Sequence, residues 1–93
     1  MNESLKNFKL SIIIPCYNEI DTIQELIFRV KSSPIHSKEI IIIDNCSTDG
    51  TREFLENLND ESLIIIFNKR NIGKGGSLAK GFSIASGDIT LIQ

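Results

Sequence analysis

Four consecutive isoleucines at positions 40–43, framed by Glu39 and Asp44, constrain the fold more than any other feature of the chain. Side chains on a strand point alternately to opposite faces, so an unbroken β-branched run requires cover on both. Such a run belongs inside a parallel sheet packed between helices. SLIIIF at 62–67 repeats the pattern, and LSIII (10–14) and DITLIQ (88–93) supply two further strands. Between the first two, Ile20, Ile23, Ile27 and Val30 recur three or four apart, which predicts a helix within 19–32. A shorter helix is expected over 50–59, burying Phe54, Leu55 and Leu58. A third is expected over 76–86, burying Leu78, Phe82 and Ala85, with Gly87 suited to its C-terminal cap.

The order strand, helix, strand, helix, strand, helix, strand predicts right-handed crossovers and a three-layer α/β sandwich around a mostly parallel sheet. Three loops then meet at the C-terminal edge of that sheet: PCYNE (15–19), DNCSTDG (44–50) and NKRNIGKGG (68–76). Ligands of open α/β sheets bind in that crevice. Residues 1–8 read as an N-terminal tail and 9–93 as one folding unit, ending on a strand whose following loop should join the same crevice. The chain is therefore expected to be the N-terminal portion of a larger, incomplete domain.

Composition narrows the function. With 41% apolar and 24% charged residues the chain is globular, and a net charge of −2 gives no reason to expect nucleic-acid binding. No apolar run approaches the roughly 20 residues that span a bilayer, so a cytoplasmic location is expected, at the cytoplasmic face of a membrane for a longer protein. Cys16 and Cys46 form no CxxC pair and are expected as free thiols. His36 lies between a helix and a strand at the opposite end of the sheet, where a surface role is expected. The five phenylalanines are spread as core or shielding residues, and an exposed terminal strand offers an edge for self-association.

Each loop carries a structural and a functional reading. Pro15 ends a strand and Asn18 is suited to capping the first helix, while Tyr17 has the shape to pack beside a base or ribose. Asp44, just past the last isoleucine, is a turn residue or an acceptor for a base N–H or ribose hydroxyl. Thr48 or Asp49 is expected to cap the second helix. Lys69, Arg70 and Lys74 are solubilising charges or contacts for a diphosphate, and Gly73, Gly75 and Gly76 allow close backbone approach. No GxGxxG follows the first strand, and Asn68 stands where a GxxxxGKS phosphate loop needs glycine.

Taken together, SIIIPCYNE (11–19), EIIIIDNCSTDGT (39–51), NIGKGGSLAKGF (71–82) and SGDITLIQ (86–93) resemble the N-terminal half of the catalytic domain of family 2 glycosyltransferases. The resemblance is nearest the dolichyl-phosphate mannosyltransferase and polyprenyl-phosphate glycosyltransferase type. It implies the GT-A fold, here cut after its fourth strand, and inverting transfer from a nucleotide-diphosphate sugar to a lipid-phosphate or saccharide acceptor. By that resemblance Pro15, Tyr17 and Glu19 line the nucleotide pocket, Asp44 contacts base or ribose, and the segment of Asn71, Gly73, Lys74 and Gly75 closes over it. Asn45 and Cys46 stand where the family often has Asp and Gly; Asn45 retains hydrogen bonding without the charge. The resemblance implies Mg²⁺ or Mn²⁺ for the full-length protein, held by an acidic motif after residue 93, so no metal ligand and no catalytic base is expected within this segment. The rivals are a non-catalytic nucleotide-binding fragment and a receiver-like domain with Asp44 as phosphoacceptor, although a receiver needs an acidic pair where the chain has PCYNE.

Overall fold

A computed structural model describes residues 8–34 and 37–93; most of the expected tail, and His36, lie outside them. Seven elements follow in the expected order: β1 (Leu10–Cys16), α1 (Ile23–Lys31), β2 (Lys38–Asp44), α2 (Thr51–Glu56), β3 (Leu63–Phe67), α3 (Gly73–Ile84) and β4 (Ile89–Ile92). The strands form one parallel sheet in the order β3-β2-β1-β4. A flavodoxin-like receiver places its third strand beside the first. Here β1 lies between β2 and β4, which sets the receiver reading aside.

The isoleucine run divides as strand geometry requires. Ile40 and Ile42 join Ile12, Ile14, Ile23, Ile27, Val30 and Leu55 on the face covered by α1 and α2. Ile41 and Ile43 pack with Ile13 and the partly buried Leu78 and Ala85 under α3. Ile41, Ile42 and Ile43 are fully buried, each worth about 1.5–3 kcal/mol of transfer free energy. The three layers are thus α1 and α2, the sheet, and α3.

Several local expectations shift. β1 continues through Pro15 to Cys16, in register with Ile43 and Asp44. The Cys16 carbonyl accepts from Asn45 on the β2 side, so by alternation the backbone of Pro15 faces the β4 side, past Ile92. Its missing N–H costs no ladder bond there. The first helix starts at Ile23 instead of Glu19, because the Glu19 carbonyl takes the amides of both Thr22 and Ile23 in a turn. Ile20, left outside the helix, is exposed.

α3 starts at Gly73, earlier than expected, and presents Ser77 and Gly81 to the sheet. Phe82, one residue on, turns away and is half exposed, as are Phe28 and Phe8 to differing degrees; Phe54 and Phe67 do shield the core. Gly81 sets the distance between helix and sheet. A Cβ there would stand 2.7 Å from Ile13 Cγ2 and 2.9 Å from Ile43 Cδ1.

At the N-terminal edge of the sheet, polar side chains fasten β4 to β1 and β2. Ser11 donates to Glu39 Oε2 at 2.6 Å, and the Ser86 amide donates to the same oxygen. The Gly87 amide donates to Ser11 Oγ, so Gly87 serves this latch while Ala85 ends the helix. Burial raises the Glu39 pKa, but the bonds from Ser11 and Ser86 and the nearby Lys9 ammonium outweigh it and hold the carboxyl below its ordinary value.

Two outcomes follow from this packing. Gly81→Ala destabilises the chain, because overpacking costs about 1–3 kcal/mol while the gain in helix propensity is about 1 kcal/mol; the urea midpoint reads it. A depressed carboxyl pKa contributes stability above the unfolded value and loses it as the pH falls through the carboxylate range. Glu39→Gln should therefore lower the melting temperature at neutral pH by about 4–8 °C, the equivalent of about 1 kcal/mol, and flatten the acid limb of stability. Thermal unfolding of both proteins between pH 7 and pH 3 checks it.

Candidate functional site

Two of the three loops are stitched together by side chains of the STDGT segment. The Asn18 amide donates to Ser47 Oγ at 2.8 Å, the Glu19 amide to Thr51 Oγ1 at 2.9 Å, and the Ile20 amide to Asp49 Oδ2 at 3.1 Å. In return the Thr48 amide donates to Asn18 Oδ1 at 2.7 Å. Asn18, at φ 52°, therefore binds the neighbouring loop and does not cap α1, whose flanking Thr22 makes no side-chain cap either. Asp49 does serve the start of α2: its Oδ1 accepts from the Thr51 amide and hydroxyl. Desolvation raises the pKa of the exposed Asp49 carboxyl, but these bonds and the Ile20 amide outweigh it and hold the carboxyl low.

The third loop is fixed through amides. Asn45 Oδ1 accepts from Asn68 Nδ2 at 3.1 Å and from the Ile72 amide at 2.9 Å, while its Nδ2 donates to Asn71 Oδ1. Asn71 Oδ1 also accepts from the Gly73 amide. Gly73 enters α3 at φ 76°, a left-handed conformation that glycine adopts without steric cost. Cys46 sits at φ 63° and its thiol donates to the Asn68 carbonyl. The position demands a left-handed residue, which explains the suitability of Gly there.

These loops enclose a cavity of about 410 Å³ at the C-terminal ends of β1 and β4, the point where the strand order reverses. Its walls include Pro15, Tyr17, Glu19, Asn45, Asn71, Gly73 and Lys74, seven of the eight residues singled out from the sequence. Asp44 is the exception. Its carboxylate is fully buried beside the cavity, where Oδ2 accepts from the Ser47 amide and Oδ1 has no partner among the described residues. Lys69 and Arg70 do not reach the cavity, so Lys74 is the cation it receives from this loop. Lys74 has no hydrogen-bond or ion-pair partner among the described residues, and it stands at the N-terminal turn of α3, where backbone partial charge favours an anion.

Sequence reasoning missed Cys16, Ser77 and Gln93 as wall residues. Gln93 was legible in principle, since strand C-termini line such crevices. Ser77 was not, because its exposure depends on which face α3 turns to the sheet. Both thiols are free, as expected. Burial, then the carboxylates of Asp44, Glu19 and Asp49, push the Cys16 thiol up to about 12.

A four-stranded parallel sheet with a polar crevice at its switch point defines an open α/β fold of the layered type. The chain belongs to glycosyl transferase family 2, whose family model matches residues 11–93. It is 35% identical over 92 residues to a cholesterol galactosyltransferase of Borreliella burgdorferi, covering 98% of this chain and 26% of that protein. An undecaprenyl-phosphate 4-deoxy-4-formamido-L-arabinose transferase of Proteus mirabilis is 34% identical over 89 residues, covering 89% of this chain and 27% of the relative. The chain thus spans about a quarter of the length of these curated relatives. Among solved structures, a Pyrobaculum calidifontis mannosyltransferase in complex with GDP-Man and Mn²⁺ superposes with TM-score 0.76 at 26% identity, over 91% of this chain and 27% of that one. S. aureus TarS 1-349 in complex with UDP superposes with TM-score 0.78 at 29% identity, over 91% of this chain and 26% of that one.

No group of three or more His, Cys, Asp or Glu side chains suited to a metal ion occurs among the described residues. Of the carboxylates, Glu19 lines the cavity and Asp44 is sealed beside it, so these residues by themselves do not form a divalent-cation site.

Because the thiolate is the reactive form, native Cys16 should resist iodoacetamide at pH 8 by at least about tenfold relative to the urea-unfolded chain. Mass-spectrometric mapping of the two cysteines over time gives the ratio.

Proposed function

We propose that the protein transfers a sugar from a nucleotide-diphosphate donor to a polyprenyl-phosphate or saccharide acceptor, with inversion at the anomeric carbon. The observation that carries this reading is the cavity itself: a family 2 chain bringing the N-terminal turn of α3 and Lys74, which has no partner among the described residues, to one cavity with Tyr17 and Glu19. GDP-Man and UDP, bound in two of the similar solved structures, and undecaprenyl phosphate, in the name of a similar transferase, support the substrate classes.

In this reading the Tyr17 ring packs against the base or ribose. Pro15 and Glu19 shape the same wall, and Asn45, Asn71 and Gly73 hold the opposite one. Asp44 takes a base N–H or a ribose hydroxyl on Oδ1, which otherwise remains a buried acceptor at a cost of about 1–3 kcal/mol. Contact with it requires Cys16 and Asn45, which flank it and line the cavity, to move aside when the ligand binds. Lys74 and the α3 amides face the diphosphate. The acceptor oxygen, already anionic in a phosphate and giving up its proton to a base outside the described residues in a saccharide, attacks the anomeric carbon from the side opposite the nucleotide, the C–O bond to the diphosphate breaks, and its electron pair remains on the leaving oxygen. Fixed positive charge at that oxygen is the contribution this chain makes to the step.

For the whole protein the reading includes a divalent cation, Mg²⁺ or the Mn²⁺ present in the mannosyltransferase complex, with none of its ligands assigned to residues described here. It also places the work at the cytoplasmic face of a membrane, where a polyprenyl phosphate is met. No helix among the described residues is long and apolar enough to cross that membrane. With no base assigned in the cavity, nucleotide binding without transfer is the second reading for the chain by itself.

Calorimetric titration with UDP, GDP and their sugar conjugates, with and without Mn²⁺, tests the site. One base should bind saturably, and Lys74→Ala should weaken it about tenfold, or 1.4 kcal/mol. Asp44→Asn should weaken it comparably and blur the preference between UDP and GDP. Absence of binding by a demonstrably folded chain counts against the nucleotide site. Binding without sugar transfer to undecaprenyl phosphate favours the second reading.

A further inference from the structure

The amides that fix the third loop form a directed chain, and its far end is a lysine outside the cavity. Lys80 Nζ donates to Asn68 Oδ1 at 3.0 Å. Asn68, almost fully buried, donates its Nδ2 to Asn45 Oδ1 and to Ser77 Oγ, both at 3.1 Å. Asn45 Nδ2 then donates to Asn71 Oδ1, and the Ile72 and Gly73 amides close the series on Asn45 Oδ1 and Asn71 Oδ1. Each carboxamide has one accepting and one donating end, so reversing one of them sets acceptor against acceptor at the next.

An ammonium group donates and never accepts. It therefore admits one orientation of Asn68, with Oδ1 outward to Lys80 and Nδ2 inward. That orientation agrees with the donor-only Ile72 amide in making Oδ1 of Asn45 the acceptor, which in turn aims Asn45 Nδ2 at Asn71. We propose that Lys80 is a positioning residue: by fixing the polarity of the Asn68–Asn45–Asn71 relay it holds the 71–74 turn in the shape that walls the cavity. The consequence for ligand affinity rests on the nucleotide reading above, whereas the hold on the turn does not.

Residue-resolved amide exchange on the ligand-free chain tests the hold directly. In Lys80→Met the Ile72 and Gly73 amides should exchange at least about tenfold faster, with the Ile41 and Ile42 amides unchanged, as local rather than global opening requires. Lys80→Arg, which keeps a cationic donor, should restore protection. Asn68→Asp provides a second variant: it keeps a partner for Lys80 but presents an acceptor to Asn45 Oδ1, and should also release the two amides. Unchanged exchange at Ile72 and Gly73 in Lys80→Met, or a uniform rise that includes the core strands, overturns the proposal. Titration of the same variants with UDP and GDP reads the consequence. Affinity about tenfold lower in Lys80→Met and recovered in Lys80→Arg supports it, and wild-type affinity in a variant whose turn is released overturns the positioning role. If the wild-type chain binds neither nucleotide, the nucleotide reading fails for this chain and the exchange rates by themselves decide whether Lys80 holds the turn.

Discussion

A strand with no exposed face has nowhere to put a polar side chain except at its ends, and β2 is such a strand. Ile41, Ile42 and Ile43 are sealed between helices on both sides, and β1 beside it is nearly as enclosed. Burying an unpaired polar group in that interior would cancel about what one isoleucine contributes. The chemistry of the chain is thereby confined to the two edges of the sheet. Each edge has a distinct use: Ser11 and Glu39 close the N-terminal one, whereas Asp44, Asn45 and the loops after β1 and β3 open a cavity at the other.

The walls of that cavity are built from backbone amides held by short side chains, with little apolar packing of their own. Ser47, Asp49 and Thr51 take the amides of three successive residues after β1, and Asn45 and Asn71 take two at the start of α3. Hydrogen bonds of this kind add modest net stability each, but leaving one partner buried and unmet is expensive. The geometry is consequently stiff against small changes of direction. Gly81 contributes from beneath, letting α3 approach the sheet closely enough for its first turn to reach the same crevice.

The layered α/β fold was legible because it is written in long-range apolar patterning: continuous isoleucine in β2, a helical stripe through Ile23, Ile27 and Val30. Seven of the eight residues singled out by motif do line one cavity, since loop order along a parallel sheet dictates their convergence. What the sequence hid is rotational and directional. Phe82 faces outward because Ser77 and Gly81 claim the inner face of α3, a choice between small and large residues that periodicity does not rank. Asn18 and Thr51 carry no sign of whether they cap their own helix or cross to a neighbouring loop; both cross. Asp44 illustrates a further limit, because its place at a strand end implied access, and the structure seals it beside the cavity instead.

The placement of β4 has a consequence for how the chain comes to be folded. Its residues pair with β1 across nearly the whole sequence, with the Lys9 amide bonded to Asp88, 79 positions away. β1 and β2 can associate as soon as β2 is made, yet one edge of β1 stays open until β4 arrives. At a synthesis rate of 5–20 residues per second that interval is on the order of 4–16 s. During it, the backbone of a strand rich in isoleucine presents unpaired donors and acceptors to anything nearby. Pro15, which has no N–H to offer on that side, shortens the exposed template at its C-terminal end. The proline thus guards the nascent sheet as well as leading into the first loop of the cavity.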